Sequence, residues 1–149
     1  GASLACAAAP FDAFDADVLI YASIPGHPLG APVREVLERT GAPGAPHAIG
    51  SVLLIPEVLS RPLRSGDAKA TNTLTELLAR LDLLPFDHHT ARVATHLAAR
   101  YGLRAADAAH LATAAVAGAD RFITNNRRAF PQTVDVVALT YPEDLTPFP

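Results

Sequence analysis

Apolar residues recur at helical spacing in the alanine-rich segment that follows Arg104. The apolar positions lie three and four residues apart: Ala108, Leu111, Ala112, Ala115 and Val116. Such a stripe is typical of an amphipathic helix, and Ala is the best helix former. Gly118 is suited to end the helix. The pattern therefore predicts a helix that carries Asp107 near its N-terminus.

Four other segments show the same periodicity and predict helices at residues 32–39, 52–63, 67–82 and 87–101. Ser51 is a suitable N-cap for the second of these helices, and Pro56 would bend or restart it. Gly102 is suited to end the last of them.

Short β-prone runs separate the helices and predict strands at residues 14–21, 47–49, 83–86, 121–124 and 134–139. The order β, α, β, α, α, β, α, α, β, β with short loops favours an α/β fold in which helices cover a central parallel sheet. Right-handed crossovers would bring Asp15, Asp107 and the loop at Asn126 to one edge of that sheet, where such folds build ligand sites.

The composition indicates one globular domain. The chain has 149 residues, of which 50% are hydrophobic and 18% are charged, and this length leaves no room for a second domain. Residues 1–11 lack the basic start and the long apolar region of a signal peptide. We therefore expect a flexible leader at residues 1–11 and a single domain at residues 12–149. No segment approaches the roughly 20 apolar residues that span a bilayer, so no membrane association is expected.

Charge and cysteine content narrow the choice of partners and compartment. The net charge is −3, and Lys69 is the single lysine among the twelve basic residues. Because the overall charge does not indicate a nucleic-acid partner, any contact with RNA has to come from local Arg clusters. Cys6 is the one cysteine, which excludes an internal disulfide and is compatible with a cytoplasmic location.

Asp15 and Asp17 are candidate functional residues. In the predicted strand they point to the same face, where two carboxylates repel each other unless a cation or a proton lies between them. They belong either to a solvated turn before a core strand or to a metal or acid–base site. Glu57 stands among apolar residues of a predicted helix, so it lies either at the solvent edge of that helix or in a site.

His110 follows Asp107 by three residues and therefore shares its helix face. It is either an orienting group for that carboxylate or a buried structural histidine. His88, His89 and His96 are better explained as exposed residues than as zinc ligands, because no cysteine is near and their spacing does not match a zinc site.

Two segments in the first half of the chain resemble motifs of the PIN-domain nucleases. Phe14-Asp15-Ala-Asp17-Val-Leu is similar to their opening motif, with Asp17 where Asn, Ser or Thr is usual. The run from Ser51 to Glu57 resembles their second motif, in which a helix Glu follows a Ser or Thr by several residues.

Two later segments complete the resemblance. Asp107-Ala-Ala-His-Leu-Ala-Thr-Ala is similar to the third motif and is the most specific match. Thr124-Asn-Asn126 resembles the fourth, whose usual form is Thr-Asn-Asp. The four segments stand in the family's order and extend over residues 14–140.

The resemblance implies a three-layer PIN-like fold and a Mg²⁺- or Mn²⁺-dependent endoribonuclease. Asp15, Glu57 and Asp107 would be the metal ligands, in agreement with the preference of hard divalent ions for oxygen. The ion would activate the water that attacks the phosphodiester. Asn126, at the fourth catalytic position, keeps an oxygen but lacks the charge of the usual acid, which would weaken a second metal position.

The resemblance also implies supporting residues and partners. The side chains expected to support the site or to bind RNA are Asp17, Thr124, Asn125, Arg61, Arg127 and Arg128. The small chain is most similar to the VapC-like toxins of type II toxin–antitoxin pairs, so we expect an RNA substrate, a cognate antitoxin and a homodimer. An Arg or Lys of the antitoxin tail would replace the metal among the acids, and apolar tail residues would lie beside Val52, Leu53 and Leu59.

Two alternatives remain open from the sequence. A non-catalytic PIN-like module would bind RNA or a protein, and Asn126 makes this alternative reasonable. The pair Asp15 and Asp17 also looks like the first motif of haloacid dehalogenase-type phosphatases, although that class needs a later lysine and the only one is Lys69. Metal-dependent cleavage of RNA distinguishes the nuclease from the first alternative, and activity on a small aryl phosphate identifies the second.

Overall fold

The computed structural model describes residues 11–145. The strands are β1 (Phe11–Phe14), β2 (His47–Ser51), β3 (Asp82–Leu84), β4 (Arg121–Ile123) and β5 (Ala138–Thr140). The helices are α1 (Ala16–Ser23), α2 (Gly30–Arg39), α3 (Leu54–Ser65), α4 (Ala68–Leu78), α5 (His88–Tyr101) and α6 (Ala105–Ala117). A 3₁₀ turn, Pro142–Asp144, follows β5. Phe11, the last residue of the predicted leader, begins β1. Residues 1–10, the rest of that leader, lie outside the described residues.

All five strands are parallel and lie in the order β3-β2-β1-β4-β5. The chain moves outward from β1 to β3 and then returns to the other side of β1 with β4. The strand order therefore reverses between β1 and β4, and in open α/β sheets the crevice at such a reversal is where ligands bind. This arrangement confirms the predicted α/β fold with a central parallel sheet.

Helices cover both faces of the sheet and create two hydrophobic cores. One core lies under α1 to α4 and contains Phe14, Leu19, Leu37, Leu54 and Ile123 among its fully buried members. The other lies under α5 and α6 and contains Ala13, Ile49, Leu111, Phe122 and Phe130. Successive residues of β1 and β4 alternate between the two cores, as the period of two along a strand requires. The result is the predicted three-layer architecture.

The predicted strand at residues 14–21 is wrong. β1 ends at Phe14, and the next residues form α1. Asp15 caps that helix, since its Oδ1 accepts a hydrogen bond of 2.8 Å from the backbone N–H of Ala16. The β-branched run instead provides a helical face, because Val18, Leu19 and Ala22 are buried at spacings of one, three and four.

Several element boundaries also differ from the predictions. Ser51 ends β2 rather than capping α3, and its Oγ accepts a hydrogen bond of 3.1 Å from Leu53 N–H. Pro56 lies in the first turn of α3, where a missing N–H costs no helical hydrogen bond. β3 and β5 are shorter than the apolar runs that predicted them. Val134 and Val137, from the run before β5, are buried in the second core without joining the sheet.

An ion pair that the sequence analysis missed lies inside the sheet. Asp12 on β1 is fully buried and accepts two hydrogen bonds of 2.7 Å from the guanidinium of Arg121, its neighbour on β4. A bidentate guanidinium of this kind offsets the cost of burying a carboxylate. Within residues 11–145, no helix combines the length and apolar character needed to cross a membrane.

Candidate active site

Asp15 and Thr124 meet in the crevice at the carboxyl ends of β1 and β4. Each is the residue that follows its strand, and both are buried, with Asp15 only 4% exposed. The Thr124 hydroxyl donates a hydrogen bond of 2.8 Å to Asp15 Oδ2, while Asp15 N–H donates to the carbonyl of Ile123 at 3.0 Å. Together with the cap on α1, these bonds fix the Asp15 carboxylate at the reversal of strand order.

Asp17 joins the start of α1 to the loop after β4. Its Oδ1 accepts a hydrogen bond of 2.7 Å from Val18 N–H, and its Oδ2 accepts one of 3.0 Å from Asn125 N–H. The sequence analysis placed Asp17 beside Asp15 on one face of a strand, whereas the structure places it in the first turn of a helix. The two carboxylates still lie in one site, because both contact residues of the 124–125 segment.

Glu57 and His110 connect the two helical layers. His110 on α6 is 2% exposed, and its Nε2 is hydrogen-bonded to Glu57 Oε2 on α3. The other ring nitrogen, Nδ1, is buried without a hydrogen-bond partner among the described residues. Asp107 precedes His110 by one helical turn and is partly exposed. Asp107 and His110 share a helix face, as predicted, and both lie close to Asp15 and Glu57. We call the group of Asp15, Asp17, Glu57 and Asp107 around His110 the acidic site.

Burial and mutual repulsion raise the pKa values of the aspartates. Burial is the main cause for Asp15, whose pKa is raised even though the positive charge of His110 and the Thr124 hydrogen bond act to lower it. Burial and then the charge of Asp15 raise the pKa of Asp17 to about 7. Burial and then Glu57 raise the pKa of Asp107. These carboxyl groups therefore act on one another electrostatically, as members of one site do.

The pKa of His110 is shifted by the carboxylates of this acidic site. Burial is the largest single influence on its pKa and acts to lower it. The hydrogen bond to Glu57 and the negative charges of Asp15, Glu57 and Asp107 outweigh burial, so that the pKa of His110 is raised. A protonated imidazole partly neutralises the surrounding carboxylates.

Asp12 has a guanidinium counter-ion, whereas Asp15 has none among the described residues. Both carboxylates are buried, and Asp12 has the Arg121 guanidinium as its counter-ion. Among the described residues, no Arg or Lys forms a hydrogen bond or an ion pair with Asp15, Asp17, Asp107 or Glu57. The negative charge of the site is therefore only partly compensated by the protein.

The donor set suits a hard divalent cation in its chemistry, because it consists of carboxylate oxygens with excess negative charge. Its arrangement is not that of a closed metal site: within residues 11–145, no three His, Cys, Asp or Glu side chains are grouped tightly enough to hold an ion. Glu57 Oε2 is bonded to His110, but its side chain is 38% exposed and Oε1 forms no hydrogen bond with a described residue.

Asn126 is occupied within its own loop. Its side-chain Oδ1 accepts a hydrogen bond of 3.2 Å from Ala129 N–H, and its backbone N–H donates to Thr124 Oγ1 at 3.0 Å. Asn125 contributes its backbone N–H to Asp17 rather than a side chain. These bonds hold the 124–129 loop against the acidic site.

The three predicted RNA-binding arginines lie in different surroundings. Arg127 is paired with Glu143, and its guanidinium lies over the ring of Tyr141 at 3.7 Å. Arg61 lines an apolar groove of about 430 Å³ between α1, α3 and α4, together with Ile20, Ile24, Glu57, Val58 and Leu74. Arg128 lines a polar cleft beside Asp107. Arg104 also lines that cleft, and the sequence analysis did not single it out.

The PIN domain family matches residues 13–135. The chain therefore belongs to the PIN domain family, as its four motifs predicted. This membership leaves the haloacid dehalogenase alternative without support.

Solved structures show the same fold at low sequence identity. The chain is 14% identical to VapBC2 from Rickettsia felis bound to a DNA fragment from their promoter, with a TM-score of 0.69 and coverage of 88% of this chain and 98% of that one. It is 20% identical to a toxin–antitoxin complex from Klebsiella pneumoniae, with a TM-score of 0.65 and coverage of 88% and 97%. DNA-bound VapBC from Salmonella typhimurium is 17% identical, with a TM-score of 0.61 and coverage of 89% and 98%. The comparison with curated protein sequences returned no match.

Proposed function

We propose that this PIN-domain protein is a metal-dependent endoribonuclease and the toxin of a toxin–antitoxin pair. The observation that carries the proposal is the buried Asp15 carboxylate, which shares a crevice with Asp17, Asp107 and Glu57 and has no Arg or Lys counter-ion among the described residues. Burying a carboxylate in this way is costly unless a cation binds. Membership of the PIN family and the toxin–antitoxin complexes among similar structures support the proposed reaction and biological role.

Asp15, Asp107 and Glu57 would hold Mg²⁺ or Mn²⁺. When bound, the ion lowers the pKa of a water molecule and stabilises the negative charge that develops on the phosphodiester. Thr124 and the N-cap geometry hold Asp15 in one orientation. His110 holds Glu57 through Oε2 and leaves Oε1 for a ligand, which is the usual role of a group that orients a metal-binding carboxylate.

The proposed partner is an antitoxin whose tail lies in the apolar groove. Ile20 and Ile24 are 38% and 44% exposed along this groove, and Glu57 lines it too. A tail with apolar residues would cover the isoleucines, and an Arg or Lys would reach the acidic site. The sequence analysis placed the tail beside Val52, Leu53 and Leu59, and none of these three residues lines this groove. We include a cytoplasmic location and a homodimer in the proposal, the latter to be measured by light scattering.

The direct test is cleavage of a labelled RNA oligonucleotide by the purified protein. Cleavage is expected with Mg²⁺ or Mn²⁺, and it should disappear with EDTA and in Asp107→Asn. Asp82→Asn is the matched control, because Asp82 is exposed on β3 and lies outside the site. Cleavage that persists in EDTA, or activity retained by Asp107→Asn, would overturn the proposal.

A non-catalytic RNA-binding module is the second candidate. It is favoured by Asn126, whose side-chain oxygen accepts a hydrogen bond from Ala129 instead of extending the acidic set. This candidate predicts RNA binding without cleavage under any metal condition.

A further inference from the structure

A polar cleft adjoins the acidic site on the side away from α3. It has a volume of about 440 Å³ and lies between the α5–α6 connection and the loop after β4. Its lining includes Tyr101, Arg104, Asp107, Asn126, Arg128 and Pro131. We call it the arginine cleft. Asp107 belongs both to this cleft and to the acidic site, so a ligand in the cleft reaches the proposed reaction centre.

We propose that the arginine cleft binds the phosphate backbone of the single-stranded RNA substrate next to the cleaved bond, with Arg104 and Arg128 as the phosphate-binding side chains. The inference rests on the proposed nuclease function and names the surface and residues by which that function would hold its substrate. The apolar groove on the other side of the site is left for the antitoxin.

Within residues 11–145, five of the other nine arginines have a guanidinium group that is hydrogen-bonded to a backbone carbonyl or paired with a carboxylate: Arg34, Arg39, Arg100, Arg121 and Arg127. Arg104 and Arg128 are exposed, and neither donates a hydrogen bond or forms an ion pair within residues 11–145. Two free guanidinium groups lining one cleft form a natural site for an anionic ligand.

The charge of Arg104 reaches the acidic site. Arg104 is the N-cap residue of α6 and precedes Asp107 by three residues, and both side chains line the arginine cleft. Without such cations, the carboxylates would repel a polyanion from a protein with a net charge of −3. The two arginines therefore supply the local attraction that the overall charge of the chain does not.

The lining of the cleft favours contacts with phosphates over contacts with bases. Tyr101 is its aromatic residue, but Arg100 lies over the Tyr101 ring at 4.9 Å and the hydroxyl donates to Asp135 at 3.1 Å. Arg100 thus covers one face of the ring, and the ring is not free on both sides for base stacking. Guanidinium contacts to the backbone position a strand without reading its sequence. We therefore assign the cleft to substrate holding and not to sequence choice.

The test measures binding of a fluorescent single-stranded RNA by anisotropy in EDTA, over a range of NaCl concentrations. Arg104→Gln and Arg128→Gln should each weaken binding about three- to tenfold at low salt and lower the slope of log K against log salt by about 0.7. Arg104→Lys and Arg128→Lys should keep most of that slope, since lysine retains the charge. Arg80→Gln is the matched control, because Arg80 is exposed between α4 and β3 and lines neither the cleft nor the groove.

The same variants are then compared in the cleavage assay with Mg²⁺. The Gln variants should raise KM with kcat nearly unchanged, because the arginines bind the strand and do not touch the reacting atoms. Wild-type salt slopes in both Gln variants, or an equal loss in Arg80→Gln, would overturn the inference even where the protein cleaves RNA. If the nuclease proposal is wrong, the wild type does not cleave RNA. The anisotropy comparison then still tests whether the arginine cleft binds RNA.

Discussion

Glu57 and His110 are hydrogen-bonded to each other although α3 and α6 pack on opposite faces of the sheet. The bond therefore crosses the carboxyl edge of the sheet and fixes the distance between the two helical layers at the acidic site. His110 can hold Glu57 in this way because it is itself buried and cannot turn toward solvent.

His110→Ala should weaken Mn²⁺ binding about 10- to 100-fold, because Glu57 loses the group that orients it. Isothermal titration calorimetry with Mn²⁺ measures the effect. His96→Ala is the control, since His96 is exposed on α5. Unchanged Mn²⁺ affinity in His110→Ala would mean that the histidine serves packing alone.

Asp107→Asn should abolish cleavage and leave the metal-free protein as stable as the wild type or a few degrees more stable. Burial and the charge of Glu57 raise the pKa of Asp107, so removing its charge relieves repulsion when no metal is bound. Thermal unfolding in EDTA measures this difference. A clear fall in melting temperature would show that Asp107 is a structural partner instead.

The stability of the metal-free protein should depend on pH through Asp17. Its pKa is about 7 in the folded state against 3.8 for an ordinary Asp side chain, so above pH 4 the folded state holds a proton that the unfolded state has lost. Stability should therefore fall as pH rises from 4 to 7 and stay at the lower value above pH 7.

Asp17→Asn removes this dependence and keeps one oxygen to accept from Asn125 N–H, at the cost of the hydrogen bond from Val18 N–H. In EDTA it should raise the melting temperature by about 5 °C at pH 8, with the gain shrinking toward pH 5. Melting curves at several pH values measure both proteins. A gain of the same size at pH 5 and pH 8 would contradict the assigned titration.

Asn126→Asp should tighten Mn²⁺ binding about tenfold, because it adds a negative charge beside the acidic set. An aspartate also has an oxygen to accept the hydrogen bond that Ala129 N–H now donates to Asn126, so the loop should keep its shape. Calorimetry with Mn²⁺ compares the two proteins. An unchanged affinity would place residue 126 outside the metal-binding set.

Inhibition by the antitoxin should weaken as Mg²⁺ rises at constant ionic strength. A tail cation and the metal would compete for the oxygens of Asp15, Glu57 and Asp107, so the inhibition constant should increase with Mg²⁺. Titration of antitoxin against RNA cleavage at several Mg²⁺ concentrations measures it. Ile24→Glu should also weaken inhibition, since Ile24 is exposed on the apolar groove. An inhibition constant that does not move with Mg²⁺ would mean that the antitoxin blocks RNA from elsewhere.

The sequence predicted those features that depend on periodicity and chain order. The helix that carries Asp107 and His110 has the predicted apolar stripe, and Gly118 ends it. The prediction of a strand at residues 14–21 was wrong. β-branched residues favour strands locally, but these residues form a helix whose apolar face is buried against α2 to α4. Local propensity carries no information about that packing.

The sequence did not predict which individual side chains pair with each other in the fold. Arg127 and Arg128 are adjacent and chemically identical, yet Arg127 is paired with Glu143 and Arg128 lines the arginine cleft. Arg104 had no distinguishing spacing and was missed. Such assignments depend on which charges the fold brings together from distant segments, and one sequence does not show this.

The ion pair of Asp12 with Arg121 and the hydrogen bond of Thr124 to Asp15 each join residues 109 positions apart. Synthesis of the chain therefore has to pass residue 121 for the first contact and residue 124 for the second before they can form. Until then the Asp12 carboxylate on β1 has no guanidinium partner, and Asp15 lacks the Thr124 hydroxyl that orients it. During translation the nascent chain consequently has no assembled acidic site, and a ribosome that stalls before residue 121 releases a fragment without one.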